Sequence, residues 1–181
     1  MYVSQNSENA SLLDLTIVAN GKIDLPKDSS ELFKFYQHYS CGGGVGNLQS
    51  LKFNNSVSTF NVTDMNSMFS YSKATTLDLS SFDTSKVTNM SNMFADSKAT
   101  TLDLSSFDTS KVTDMHEMFG RSKATEIKGL NKFNTSNVTN MSYMFYNSKA
   151  TAGYAKDAQT AAKFNDSSVT KIPNTLKFTV K

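Results

Sequence analysis

The 181-residue chain has no tryptophan, two prolines and a single cysteine, Cys41. One cysteine excludes an internal disulfide, and with two histidines beside it there are too few ligands for a structural zinc site. Neither charge sign dominates. Eighteen Lys and Arg against 16 Asp and Glu leave a net charge of +2, too small to imply nucleic acid or a membrane surface as partner. No apolar run approaches the roughly 20 residues of a membrane-spanning helix. Residues 1–12 carry neither a basic region nor an apolar core, so they do not read as a signal peptide. That fits either a cytosolic protein or the mature segment of an exported one. Apolar residues reach only 38%, low for a globule but sufficient for a thin-cored repeat structure.

The chain is rich in repetition. Leu77–Thr101, LDLSSFDTSKVTNMSNMFADSKATT, is followed directly by LDLSSFDTSKVTDMHEMFGRSKATE, Leu102–Glu126, and looser copies begin at Leu51 and Ile127. A period of 25 residues marks a solenoid or array. The apolar columns align: Val62, Val87, Val112 and Val138; Met65, Met90, Met115 and Met141; Met68, Met93, Met118 and Met144; Phe69, Phe94, Phe119 and Phe145. Each outer copy has one extra residue between its Leu or Ile and its Val.

Leu77 and Leu79 alternate with Thr76, Asp78 and Ser80, the pattern of a strand with one buried face. Val87, Met90, Met93 and Phe94 follow at i, i+3, i+6 and i+7, which predicts a helix of about two turns, with the preceding Thr column (Thr63, Thr88, Thr113, Thr139) as N-cap. Neither a two-turn helix nor a three-residue strand survives alone in water, so each unit must bury its apolar residues by stacking on its neighbours. The expectation is an α/β solenoid of leucine-rich-repeat type, with four strand-plus-short-helix units over residues 51–151. A cap over 1–50 and another over 152–181 complete one continuous domain. The first cap reads as a hairpin across Asn20-Gly21 and a helix after the capping box Asp28-Ser29-Ser30-Glu31. The second reads as a helix over 154–164, then strands over 169–172 and 176–180. Because the sequence ends on a strand pattern, a longer natural protein is expected.

Residues identical between the two central copies run from Thr75/Thr100 through Thr88/Thr113. The copies then differ at Asn89/Asp114, Ser91/His116, Asn92/Glu117, Ala95/Gly120 and Asp96/Arg121, all off the apolar stripe and expected on an indifferent solvent face.

Reactive constellations are sparse. His38 and Cys41 stand three apart, but a nucleophilic pair also needs an activated thiolate and an oxyanion site, and a helix end beside a glycine turn explains them. Gly42-Gly43-Gly44-Val45-Gly46 lacks the Lys-Ser/Thr ending of a phosphate loop. No catalytic residue, cofactor or metal site is expected. The Asp83 and Asp108 column, with Asn134 in the fourth copy, reads as hydrogen-bonded turn residues, two carboxylates being too few for a calcium site.

Two surfaces are candidates for binding. Lys73, Lys98, Lys123 and Lys149 form a complete column, either a solvated edge or a basic stripe for an anionic glycan. The outward strand positions Lys52, Asp78, Asp103 and Lys128, flanked by Thr76, Thr101 and Glu126, line the open sheet face that solenoids commonly use for recognition. There Lys52 should neighbour Asp78 and Asp103 should neighbour Lys128, so the face pairs with itself, and it lacks an aromatic anchor.

The repeat Leu-Asp-Leu-Ser-x-Phe-Asp-Thr-Ser-x-Val-Thr-x-Met-x-x-Met-Phe, matched throughout by 77–94 and 102–119, resembles that of the BspA-like leucine-rich-repeat surface proteins of bacteria. The segment Ile23–Phe33 also looks like what precedes the repeats in that family. Ile127–Phe145 departs at Lys128-Gly129-Leu130, and Leu51–Phe69 keeps only Val57 where the family has Phe. The resemblance implies a secreted, wall-attached, non-enzymatic module that adheres to a host or matrix protein or a glycan. The alternative is a spacer that presents another domain. A monomer is expected, without nucleic acid or membrane insertion.

Overall fold

The computed structural model describes residues 2–5, 13–16, 23–34, 48–53 and 57–180. His38, Cys41 and the glycine run 42–46 lie outside them. The strands are short: β1 Tyr2–Gln5, β2 Leu13–Thr16, β3 Ile23–Asp24, β4 Leu48–Lys52, β5 Val57–Ser58, β6 Thr76–Leu77, β7 Thr101–Asp103, β8 Glu126–Lys128, β9 Gly153–Ala155 and β10 Phe178–Val180. A four-stranded sheet runs β1-β2-β4-β6, and β3-β5, β7-β8 and β9-β10 form parallel pairs. Leu77, Leu79, Leu102, Leu104 and Ile127 point inward and are buried, while Thr76, Asp78, Asp103 and Lys128 are exposed, as period-2 alternation requires.

The helix expected after each Thr does not form. The Met-x-x-Met-Phe segments are ribbons of turns in which alternate amides point in different directions. In the second copy Met90, Asn92, Phe94 and Asp96 donate to the carbonyls of Asp114, His116, Met118 and Gly120 in the next copy, at 2.8–2.9 Å. The amides between them turn back: Met93 to Met90 O, Ala95 to Asn92 O, Ser97 to Phe94 O, at 3.0–3.3 Å. A helix would send Phe94 N–H to Met90 O, within the segment. Two features of the sequence favour the ribbon. The Asp64, Asn89, Asp114 and Asn140 side chains each accept the amide two residues on, a local bond that competes with helix initiation. Positive φ recurs at Ser67, Asn92, Glu117 and Tyr143 and at Tyr71, Asp96, Arg121 and Asn147, between 51° and 60°, which no continuous right-handed helix contains. The Thr column also differs from expectation. Thr88 does not accept a bond from a following turn; its hydroxyl donates to Thr63 O at 3.1 Å, and Thr113 repeats this to Thr88 O.

The apolar stripe is nonetheless buried as its spacing requires: Val87, Met90, Met93 and Phe94 are all inaccessible. Phe33, Phe69, Phe94, Phe119 and Phe145 stack nearly parallel, with centroids 5.6–5.9 Å apart and planes within 11°. A second tie between copies is a buried hydroxyl column. Thr59, Thr84 and Thr109 each donate to the carbonyl of Asp83, Asp108 and Asn134, and each accepts that same residue's amide, at 2.7–3.1 Å. Thr135 continues the column to Thr160 at 3.3 Å.

The N-terminal segment differs from its expected form. β2 pairs antiparallel with β1 and parallel with β4, and β3 pairs with β5, so among the described residues β2 and β3 do not pair with each other, and the expected turn at Asn20-Gly21 lies outside the described residues. The polar N-terminal residues, outside the expected hairpin, contribute β1. Asp28-Ser29-Ser30-Glu31 starts no helix through residue 34. Glu31 has φ 57°, and Ser29, Glu31 and Phe33 donate to Asp64 O, Asn66 O and Met68 O. This segment is thus a partial ribbon against the first copy, with Phe33 starting the ring stack. At the other end α1, Ala158–Asn165, is capped by Asp157, whose carboxylate accepts Thr160 N–H at 2.7 Å. The expected strand over 169–172 is instead occupied by the short helix α2, Ser167–Thr170, while β10 matches the last one. Phe164 and Phe178 close the ring stack against Phe145.

Candidate interaction surface

The strand face is as exposed as the alternation demands. Asp103 aligns with Lys128 and Thr101 with Glu126 in the β7-β8 register, and the β4-β6 register sets Lys52 level with Asp78. Lys128 lies 3.9 Å from Glu126 on its own strand. The Ser105 hydroxyl and amide bonds hold the Asp103 carboxyl below its ordinary range, with Lys128 and Lys132 adding smaller help. A groove of about 440 Å³ opens beside β8, with Glu126, Lys128, Lys132 and Tyr154 among its walls. Gly129 shapes it. Its φ is 88°, and an added Cβ would lie 2.5 Å from the Leu104 backbone. This glycine absorbs the extra residue of the fourth copy by turning into the 3-10 turn Leu130–Lys132, which buries Leu130.

The lysine column sits on the return from ribbon to strand. Lys98, Lys123 and Lys149 donate their amides to Ser72 O, Ser97 O and Ser122 O, at 2.9–3.1 Å, which stacks the column in register. Lys98, Lys123 and Lys149 are exposed and Lys73 is half-buried. Beneath them runs a buried serine column, Ser72, Ser97, Ser122 and Ser148, whose hydroxyls accept the amides of Ala74, Ala99, Ala124 and Ala150. Asp83 and Asp108 cap turns, accepting the Ser85 and Ser110 amides. Those serine bonds hold both carboxyls below the ordinary range.

The ribbon face offered no candidate in the sequence, and side chains meet there. Five of the six differences between the central copies fall on it, the sixth, Thr101/Glu126, being on the strand face, and solvent is not indifferent to them. Arg121 Nε reaches Asp96 Oδ2 at 2.9 Å, and its Nη1 reaches Glu117 Oε1 at 2.5 Å. His116 Nδ1 lies 2.8 Å from Ser142 Oγ, and its ring meets Tyr143 edge-on at 6.1 Å. Tyr143 meets Tyr146 at 5.8 Å, and the Arg121 guanidinium lies 5.8 Å from the Tyr146 ring. Gly120 makes room for this arrangement, since a Cβ there would lie 2.3 Å from Glu117 Cγ. The second copy, with Ala95 at that level, carries the shorter Asn92. The Asn89/Asp114 difference also has a role. Asp64, Asn89, Asp114 and Asn140 alternate acid and amide up the column, and Asn89 and Asn140 donate to Asp64 and Asp114 at 3.1 and 3.3 Å. The signal was present in the sequence: the columns Ser67/Asn92/Glu117/Tyr143 and Tyr71/Asp96/Arg121/Asn147 hold four different residues each, beside invariant Ser and Lys columns.

Arg121, Lys123 and Lys149 also line an open groove of about 640 Å³ with Asp96, Asn147, Ser148, Thr151, Pro173 and Thr175. Among the described residues no group of His, Cys, Asp and Glu could hold a metal ion, and no helix is long and apolar enough to cross a membrane.

A stack of short units with a varied outer ribbon defines the class as a repeat protein. The chain belongs to the family described as Mycoplasma protein of unknown function, DUF285, which matches residues 45–158, more than half its length. No curated protein and no solved structure matches it.

Proposed function

We propose that this chain is a non-catalytic interaction module of a bacterial surface protein. It is built as a repeat solenoid related to the leucine-rich kind in its strand half and binds a host or matrix protein or a glycan. One observation carries the reading. The two central copies are identical from Leu77/Leu102 through Thr88/Thr113, and five of their six differences fall together on one partly buried ribbon, where side chains from neighbouring copies touch, the sixth, Thr101/Glu126, lying on the strand face. A surface under selection for contact diversifies in one connected patch, whereas a spacer has no reason to. The BspA-like resemblance of the repeat supports the surface location. Tyrosine and arginine side by side, as at Tyr146 and Arg121, are the residue types that dominate binding hot spots.

The spacer reading draws on the constancy of residues 75–88 and 100–113, which suits a part that only adds length. An array of matrix proteins and glycans probed with the purified chain separates the two. Saturable binding that is lost when Tyr143 and Tyr146 become Ala, with the melting temperature kept, supports the module. Absence of saturable binding across the array, with the folded chain verified, overturns it in favour of the spacer.

A further inference from the structure

We propose that the groove between the lysine column and the Pro173–Thr175 loop binds an acidic saccharide, with Lys123 and Lys149 holding its carboxylate or sulfate groups. This rests on the interaction-module reading and gives it a ligand class. The groove, at about 640 Å³, lies in the range of small-molecule sites, about 300–1,000 Å³. Three cations and one carboxylate line it, and that carboxylate, Asp96, is already bound by Arg121 at 2.9 Å. Arg121 is therefore held in place by Asp96 and Glu117, and the two exposed lysines supply the charge facing an anion. The remaining walls are hydroxyls and an amide, from Ser148, Thr151, Thr175 and Asn147, with Pro173 as the one apolar side chain.

That lining suits a ligand rich in hydroxyls. A peptide held by apolar anchors or strand addition would need an apolar pocket or an unpaired strand edge; the walls offer Pro173 alone as an apolar side chain, and an acidic peptide is an outcome the test decides. The lysines have a built position. Lys123 and Lys149 hang from consecutive rungs of the backbone ladder, through Ser97 O and Ser122 O, so their main-chain roots are set by the stack about 5 Å apart. Two flexible cationic side chains rooted side by side can reach neighbouring acidic groups on one short saccharide.

The test is a titration of the full chain, followed by amide chemical shifts, with a heparin-derived oligosaccharide as the sulfate probe and a hyaluronan oligosaccharide as the carboxylate probe. Maltooligosaccharide serves as the neutral control and a poly-glutamate peptide as the acidic non-sugar control. Binding of either acidic sugar, with shifts centred on residues 147–151 and 173–175, is expected. Whichever acidic probe binds tighter names the source of the charge. K123Q/K149Q should weaken binding about tenfold, while K86Q/K111Q, outside the groove, should change it less than about twofold. Thermal melts of both variants should match the parent. Equal losses in the two double variants, unchanged binding in K123Q/K149Q, or poly-glutamate binding as tightly as the sugars would overturn the proposal. So would the absence of any binding by the acidic sugars. Should a matrix protein bind the ribbon tyrosines while the acidic sugars fail, the module reading stands and the groove assignment falls.

Discussion

Thr84→Val tests the hydroxyl column that ties one copy to the next. Thr84 is 1% exposed, and its Oγ1 donates to Asp108 O at 2.9 Å while accepting Asp108 N–H at 2.8 Å. Valine keeps the shape and removes both bonds, leaving an amide and a carbonyl of the next copy without this partner in a partly buried place. A neutral hydrogen bond contributes about 0.5–1.5 kcal/mol net, and an unsatisfied buried group costs about 1–3 kcal/mol. Partial access to water lowers the second figure, so a loss of about 2 kcal/mol is expected. For a chain of this length that is a fall in Tm of about 4–8 °C. Thr84→Ser keeps the hydroxyl and loses one methyl, so its loss should stay near or below 1 kcal/mol. Thermal and urea unfolding of both variants, with hydrogen exchange at the Asp108 amide, gives the comparison. Valine at parental stability, or serine as damaging as valine, would refute the reasoning.

Other outcomes follow from the same contacts. Met93→Asp places a charge at a fully inaccessible site between copies and should abolish cooperative unfolding, as seen by circular dichroism. Gly129→Ala combines positive φ with a 2.5 Å approach to the Leu104 backbone, and should lower stability by about 2 kcal/mol or more in urea titration. Asn89→Asp sets a third carboxylate between Asp64 and Asp114. It should cost about 1–2 kcal/mol at low salt, less at high salt. The Asp83 and Asp108 carboxyls are held below their ordinary range when folded, so their contribution is complete above the unfolded carboxyl value of about 3.9 and is lost as pH falls through the lower folded values. The urea midpoint should therefore hold from pH 7 to about pH 5 and drop below about pH 4. D83N/D108N should blunt that drop, because Asn134 already makes the same turn bond in the fourth copy.

Burial was legible in the sequence and backbone path was not. Val87, Met90, Met93 and Phe94 lie inside as their columns require, yet their spacing fits a ribbon of four-residue turns as well as it fits a helix. Periodicity reports which side chains face inward, and it is silent on whether an amide bonds four residues back or to the next copy. The Asx residues before each ribbon and the non-glycine residues at positive φ decide this, and neither has a strong one-dimensional signature. Asp28-Ser29-Ser30-Glu31 misled for the same reason, since the carboxylate that caps a helix also closes a two-residue turn, as Asp28 does with the Ser30 amide at 3.0 Å. The strand face and lysine column were readable because they repeat. The ribbon contacts were harder to read because they do not: Arg121 acquires meaning only when Asp96, 25 residues away, is set beside it.

The most direct measurement is the scalar coupling transmitted across hydrogen bonds in an isotope-labelled sample. The Phe94 amide nitrogen should couple to the Met118 carbonyl carbon, and the Phe119 nitrogen to Met144, copy to copy along the ring stack. Coupling from Phe94 to the Met90 carbonyl instead would mean that the segment is helical and closed on itself, and the account of copies joined through their backbones would be wrong.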